Sequence, residues 1–272
     1  MKIKLPKEFN YAEAFLTLRC NFNCNYCINS FGSVDKDKKE MSGDEWLKKL
    51  NDIDFDNLSL TLGGGEPTLH KDFFKIINGL DAKVELLTNL SFDVDEFMDN
   101  VPSDVFTTSE IPFFHPIRVS YHVGQSNEKT LLEKTKKLRD NGYNAAIFGL
   151  THPHNINENM EMAWKSSQER IPFYQKDFLG RYVGSLYGFF KYPDGIEKKL
   201  QNVECRTKEL LIAPDGNIHR CHRDLYKGEN PVIVIEYAFK PCSNFGDCNP
   251  CDLKLKTNKY LKSVDCQVEV KK

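Results

Sequence analysis

Arg19-Cys20-Asn21-Phe22-Asn23-Cys24-Asn25-Tyr26-Cys27 is the stretch that decides the fold. It follows an apolar run, Ala12 to Leu18, that reads as a β-strand. Gaps of three and then two residues let one loop wrap an iron–sulfur cubane, each thiolate taking one iron and leaving the fourth iron open. An open iron can chelate a small ligand and pass it an electron, whereas a four-cysteine site is saturated. Zinc fits poorly, because no further cysteine or histidine lies close by to close a tetrahedron.

The rest of the composition agrees with a folded protein that works in a reducing environment. Of 272 residues, 40% are hydrophobic and 28% charged, with a formal net charge of -2, which excludes a disordered chain or a polyanion-binding one. No nucleic-acid partner is expected. No stretch is apolar enough for a signal peptide or membrane span, so the expected location is the cytoplasm. There, cysteines act as metal ligands or catalytic thiols more often than as disulfides. Six more follow after residue 200, at Cys205, Cys221, Cys242, Cys248, Cys251 and Cys266.

Around the first triad, short apolar runs alternate with amphipathic ones, the pattern of strand–helix units on a parallel sheet. Strands are expected at Ala12–Leu18, Leu58–Leu62, Lys83–Thr88, Ile117–His122, Ala145–Leu150 and Ile171–Tyr174. Helices are expected at Asp44–Asn51, Asp72–Leu80, Val94–Asn100, Asn127–Asn141 and Asn155–Arg170, with Gly142 as a helix stop. The lysines of the fourth helix are interleaved with Glu128, Glu133 and Asp140 and read as a solvated face. Composition shifts after Gly180, and a domain boundary is placed near residue 195, giving units 1–195 and 196–272.

The second expected strand runs into Gly63-Gly64-Gly65-Glu66-Pro67, where glycines let a ligand approach the backbone and Glu66 offers a carboxylate to an ammonium group. Together, the triad with Tyr26 before its third cysteine and this glycine stretch resemble the radical S-adenosylmethionine (SAM) superfamily. The resemblance covers roughly residues 12 to 176 and implies an α/β fold, a partial (β/α)6 barrel with its site at the C-terminal ends of the strands. It also implies a SAM-binding 4Fe-4S cluster on Cys20, Cys24 and Cys27. Tyr26 is then placed against adenine, and Gly64, Gly65 and Glu66 at the methionine amino group. Weaker matches put Asn89 and Ser120 at the ribose or methionine carboxylate and Ile147 against adenine, where plain core packing is an equal reading.

In the C-terminal unit, Cys205 and Cys221 flank a predicted hairpin turning at Pro214-Asp215-Gly216, and Cys248-Asn-Pro-Cys251 is a metal-ligand pair. Gly216, with four residues between it and Cys221, resembles the twitch and SPASM auxiliary-cluster domains. That resemblance implies a small twitch-like domain holding an auxiliary 4Fe-4S cluster on Cys205, Cys221, Cys248 and Cys251. Cys242 and Cys266 are left over, and Cys242 is the rival ligand. A structural zinc ribbon carries the same signature. His219 and His222, beside Cys221, read as surface or supporting groups.

The expected activity is reductive SAM cleavage to a 5'-deoxyadenosyl radical, followed by hydrogen abstraction from an unactivated C–H bond and oxidation or bond formation aided by the auxiliary cluster. A peptide side-chain maturase and a non-enzymatic metal-binding protein are the alternatives. The expected partners are a small-molecule or peptide substrate and a one-electron reductant such as flavodoxin or ferredoxin. A leader-binding domain of the kind maturases carry is not evident. His122, Lys176 and Asp177, at strand ends, are the candidate proton-handling residues.

Overall fold

Each expected strand–helix unit is present in the computed structural model, which describes residues 2–30, 39–56, 58–108, 113–258 and 263–272. The strands are β1 (Tyr11–Thr17), β2 (Leu60–Gly64), β3 (Val84–Thr88), β4 (Ile117–Tyr121), β5 (Ala145–Thr151) and β6 (Phe173–Asp177). Between them run helices α1 (Gly43–Asn51), α2 (Phe73–Gly79), α3 (Val94–Asn100), α4 (Glu128–Asp140) and α5 (Ile156–Gln168). Local chemistry sets the ends. Ser42 and Glu45 form a reciprocal capping box at the start of α1, and the Asn127 side chain accepts from Thr130 N at 3.0 Å to start α4. Gly142 closes α4 with a φ of 87°, as its sequence position required.

The C-terminal part contributes β7 (Gln201–Thr207), β8 (Glu209–Ile212), β9 (Ile218–His219), α6 (His222–Lys227), β10 (Lys240–Phe245), α7 (Pro250–Leu253) and β11 (Val268–Lys271). One eight-stranded sheet runs β9-β8-β1-β2-β3-β4-β5-β6. The expected hairpin turn is real: Gly216 has a φ of 83° and donates its N–H to Ala213 O at 2.8 Å. Its first strand, however, pairs in parallel with β1, Glu209 opposite Tyr11 and Ile212 opposite Ala14. Residues beyond 195 therefore complete the edge of the sheet that the first half builds. A separate three-stranded antiparallel sheet, β10-β7-β11, carries Cys205 and Cys242.

The two faces of the large sheet differ. Ala12, Ala14, Leu16, Leu62, Leu86, Val119 and Ile147 pack with Trp46, Ile76, Phe97, Leu138 and Met162 of the helices in one core. Burying side chains of this size contributes roughly 1.5–3 kcal/mol each. Alternate residues point to the opposite, inner face. That face is polar near the start of the strands: Tyr11 donates to Glu13 at 2.7 Å, and Arg118 pairs with the buried Glu85 at 2.8 Å. Buried ionised groups persist only when paired in this way. No helix among the described residues is long and apolar enough to cross a membrane. The lysines of α4 behave as a solvated face, with Lys136 on Glu169 and Lys137 on Asp95.

Candidate functional site

The loop bearing Cys20, Cys24 and Cys27 leaves β1 and is docked onto the exit of β2 by backbone alone. Gly65 N donates to Thr17 O and Glu66 N to Arg19 O, both at 2.8 Å. This approach excludes side chains. A Cβ on Gly64, whose φ is 128°, would lie 2.1 Å from Thr17 O, and one on Gly65 would lie 2.0 Å from Arg19 O. Arg19, in turn, holds Glu40 through Nε at 3.0 Å and Nη2 at 2.9 Å. The glycines thus work first by bringing two strand ends together, just before Cys20.

All three thiols are partly exposed. Cys24 is pushed up to about 11 by burial and then by the neighbouring Cys27 and Cys20 charges. Three thiolates can share this loop only if a cation offsets them, which is what a metal cluster supplies. The three sulfurs do not all lie within 4.8 Å of one another. Among the described residues, the one group of three His, Cys, Asp or Glu donors within 4.8 Å of one another is Glu209, His222 and Asp252.

Glu66 is buried and ties the exits of β2 and β3 together. It accepts from Asn89 N at 2.7 Å, Thr88 Oγ1 at 2.8 Å and Thr68 Oγ1 at 2.6 Å, and burial raises its carboxyl. Asn89 reaches the cysteine loop, donating to Asn21 Oδ1 at 2.8 Å with Cys20 Sγ at 3.9 Å. Asn29, absent from the sequence-derived candidates, donates to Gly64 O and accepts from Tyr226 OH at 2.6 Å. That contact ties the C-terminal region to both motifs.

Tyr26 lies between two histidines. Its hydroxyl is 3.2 Å from His122 Nδ1, and its ring stacks on His152 with centroids 5.5 Å apart. His152 is buried against Phe178 and Tyr182, and sequence reading missed it because a lone histidine after a strand carries no pattern. Lys176 projects from the inner face over Phe148, its Nζ 4.8 Å from the ring centroid. Water reaches this side chain, yet the surrounding protein and the charges of Arg118 and Lys254 lower its ammonium to about 7. Ser120 stands partly buried on β4, alternating with Val119 of the helix-side core. Two expectations are not brought together with these groups. Ile147 is fully buried in the helix-side core, while its neighbour Phe148 takes the inner face. Asp177 is exposed and alternates away from Lys176.

His122 gives a pH prediction. Burial and then the Lys176 charge lower its imidazole to about 4, against roughly 6.5 in an unfolded chain. Between those values the unfolded chain binds more protons, so stability falls as pH drops from about 6.5 towards 4. His122→Gln should flatten this acid limb. Thermal midpoints of the two proteins recorded from pH 7.5 to 4.5 check it, and parallel curves would contradict it.

Comparisons with known proteins bear on this geometry. The Radical SAM superfamily profile matches residues 15–171, from β1 to the start of β6 and across both motifs. The chain belongs to the radical SAM superfamily. This radical SAM enzyme is 34% identical over 96 residues to PqqA peptide cyclase of Bradyrhizobium diazoefficiens, covering 32% of this chain and 25% of that one. It is 31% identical over 94 residues to GTP 3',8-cyclase of Haemophilus ducreyi, covering 32% and 27%. The matched segments span about a quarter of those relatives. Among solved structures, native anSMEcpe with bound AdoMet superposes with a TM-score of 0.53 at 14% identity, covering 88% of this chain and 78% of that one, a likeness of fold. Family membership implies a 4Fe-4S cluster and SAM, and the three partly exposed thiols on one loop, docked by the glycines onto the exit of β2, fit that pair.

The radical SAM enzyme has a second cysteine cluster. Cys205 of β7, Cys221 before α6, Cys242 of β10 and Cys248 line one cavity, together with Arg206, Arg220 and Arg223. Asp224 and Asp252 line it too, and Arg206 and Arg223 are paired with Glu269 and with Asp224 and Glu229. Cys251 is not part of this lining, so the chamber differs from the expected ligand set by exchanging Cys251 for Cys242. Cys266 is buried and donates to Asp252 O at 3.2 Å. His219 and His222 are buried rather than at the surface; His219 Nδ1 contacts Glu229 O at 2.9 Å, and His222 Nδ1 lies 2.8 Å from Asp252 and 3.4 Å from Glu209. These partners hold the start of α6, next to Cys221, against strand β8.

Proposed function

We propose that this enzyme cleaves SAM reductively at a 4Fe-4S cluster on Cys20, Cys24 and Cys27, abstracts hydrogen from an unactivated C–H bond, and completes an oxidation or bond formation with help from an auxiliary 4Fe-4S cluster. The observation that carries this reading is the cysteine chamber of the C-terminal region, linked to the first site by the Tyr226–Asn29–Gly64 contacts. When bound, the first cluster supplies the electron that splits the sulfonium, and the second offers a place for the electron left on substrate.

The chain's own residues support distinct parts of this reading. Gly64 and Gly65 let the exit of β2 meet the cysteine loop, beside which the methionine end of SAM would bind, with Glu66 fixing that backbone through Asn89 and Thr88. Asn89 orients the cysteine loop through Asn21. Tyr26, flanked by His122 and His152, offers an aromatic face to adenine. Lys176, lowered to about 7, is suited to proton exchange near neutral pH, while His122, lowered to about 4 and so neutral there, is suited to hydrogen bonding. Ser120 is kept as a contact to the ribose or carboxylate; Ile147 and Asp177 act in packing and at the surface.

A small molecule and a peptide are both admissible substrates. PqqA peptide cyclase and GTP 3',8-cyclase represent the two kinds among the relatives. An external one-electron donor of the flavodoxin or ferredoxin type is required in either case. The test supplies the reduced enzyme and SAM with peptide and small-metabolite fractions from cells grown in deuterated medium. One fraction should raise 5'-deoxyadenosine formation and place deuterium in it. If neither does so, hydrogen abstraction from a cellular substrate is the wrong reading.

A further inference from the structure

The chamber carries one step more, resting on the reading that it holds an auxiliary cluster. We infer that the ligands of that cluster are Cys205, Cys221, Cys242 and Cys248, and that Cys251 of the Cys-x-x-Cys pair remains a free thiol outside the chamber.

Sheet register brings Cys242 to the chamber. Val203 of β7 stands opposite Cys242 of β10, and Cys205 lies two residues on, so Cys205 and Cys242 share one face as diagonal neighbours. They are close enough to share a hydrogen bond. Cys248 is fixed by its N–H, which donates to Gly195 O at 2.8 Å, and Cys221 by the turn into α6.

The intervening Asn-Pro explains why the pair separates. The Asn249 side chain accepts from Cys251 N at 2.8 Å, starting α7 at Pro250, so Cys248 precedes the helix while Cys251 lies in its first turn. The next residue, Asp252, is committed to His222 Nδ1 and to the Cys266 thiol through its carbonyl. Cys251 lies outside the lining that the other four cysteines share. The spacing motif in this chain therefore supplies one ligand and one free thiol.

The test uses the full chain, reconstituted without oxygen. Wild type should carry roughly eight irons, Cys251→Ala roughly eight and Cys242→Ala roughly four, since each cubane holds four. Iodoacetamide applied to the folded holoprotein, followed by peptide mapping, should label Cys251 and spare Cys205, Cys221, Cys242 and Cys248. Circular dichroism checks that each variant is folded; if Cys242→Ala is not, the labelling pattern decides alone. Loss of four irons from folded Cys251→Ala, full iron in Cys242→Ala, or labelling of Cys242 in place of Cys251 would overturn the ligand set. Only four irons in wild type would overturn the auxiliary cluster itself, and the ligand set with it.

Discussion

Cys24→Ala is expected to remove roughly four irons per chain and to lower 5'-deoxyadenosine formation by at least about a thousandfold. The loop has three thiols and no substitute. Cys24 is the middle one, its carbonyl accepting from Cys27 N at 3.2 Å, and its own thiol feels both neighbours. Two remaining thiolates cannot hold a cubane that already has an open corner. The chamber lies on other elements, so the second set of four irons should stay. Iron counting with product chromatography checks the prediction. Unchanged iron with an unchanged rate would contradict the assignment of this loop.

Gly65→Ala should be nearly as damaging without touching any ligand. Its new Cβ would meet Arg19 O at 2.0 Å, Arg19 C at 2.5 Å and Leu18 O at 2.7 Å, all backbone atoms that cannot rotate away. The exits of β1 and β2 must part, breaking the Gly65–Thr17 and Glu66–Arg19 hydrogen bonds, at a cost above the roughly 1–3 kcal/mol of ordinary overpacking. The cysteine loop loses its anchor, and the variant should hold the first cluster poorly and bind SAM weakly. Gly142→Ala makes the contrast. That glycine also has positive φ, but a Cβ there meets nothing within 4 Å, so it should cost about 1 kcal/mol of stability and no iron. Equal iron retention by the two variants would show that the glycine stretch does not position the loop.

Both damaging substitutions fall where the sequence was most legible, and for a physical reason. Ligand spacing and glycine runs are local patterns, and buried parallel strands read as apolar runs, so the triad, Gly63–Gly65 and six strands could be placed from residues alone. Pairings across long separations leave no such trace. The parallel union of Glu209–Ile212 with Tyr11–Ala14, and the contact of Tyr226 with Asn29, join segments nearly two hundred residues apart. Facing was the other weak point. A one-residue step on β5 exchanges Ile147 for Phe148 on the inner face, and composition does not say which side an apolar strand presents.

The account stands on SAM being split by one electron delivered through the first cluster. The direct measurement mixes anoxically reconstituted protein with dithionite and SAM and follows 5'-deoxyadenosine and methionine over time, with Cys24→Ala and a sample lacking dithionite alongside. The prediction is equal release of both products from the reduced wild-type protein alone. Neither product appearing from protein shown to carry its iron would contradict the account.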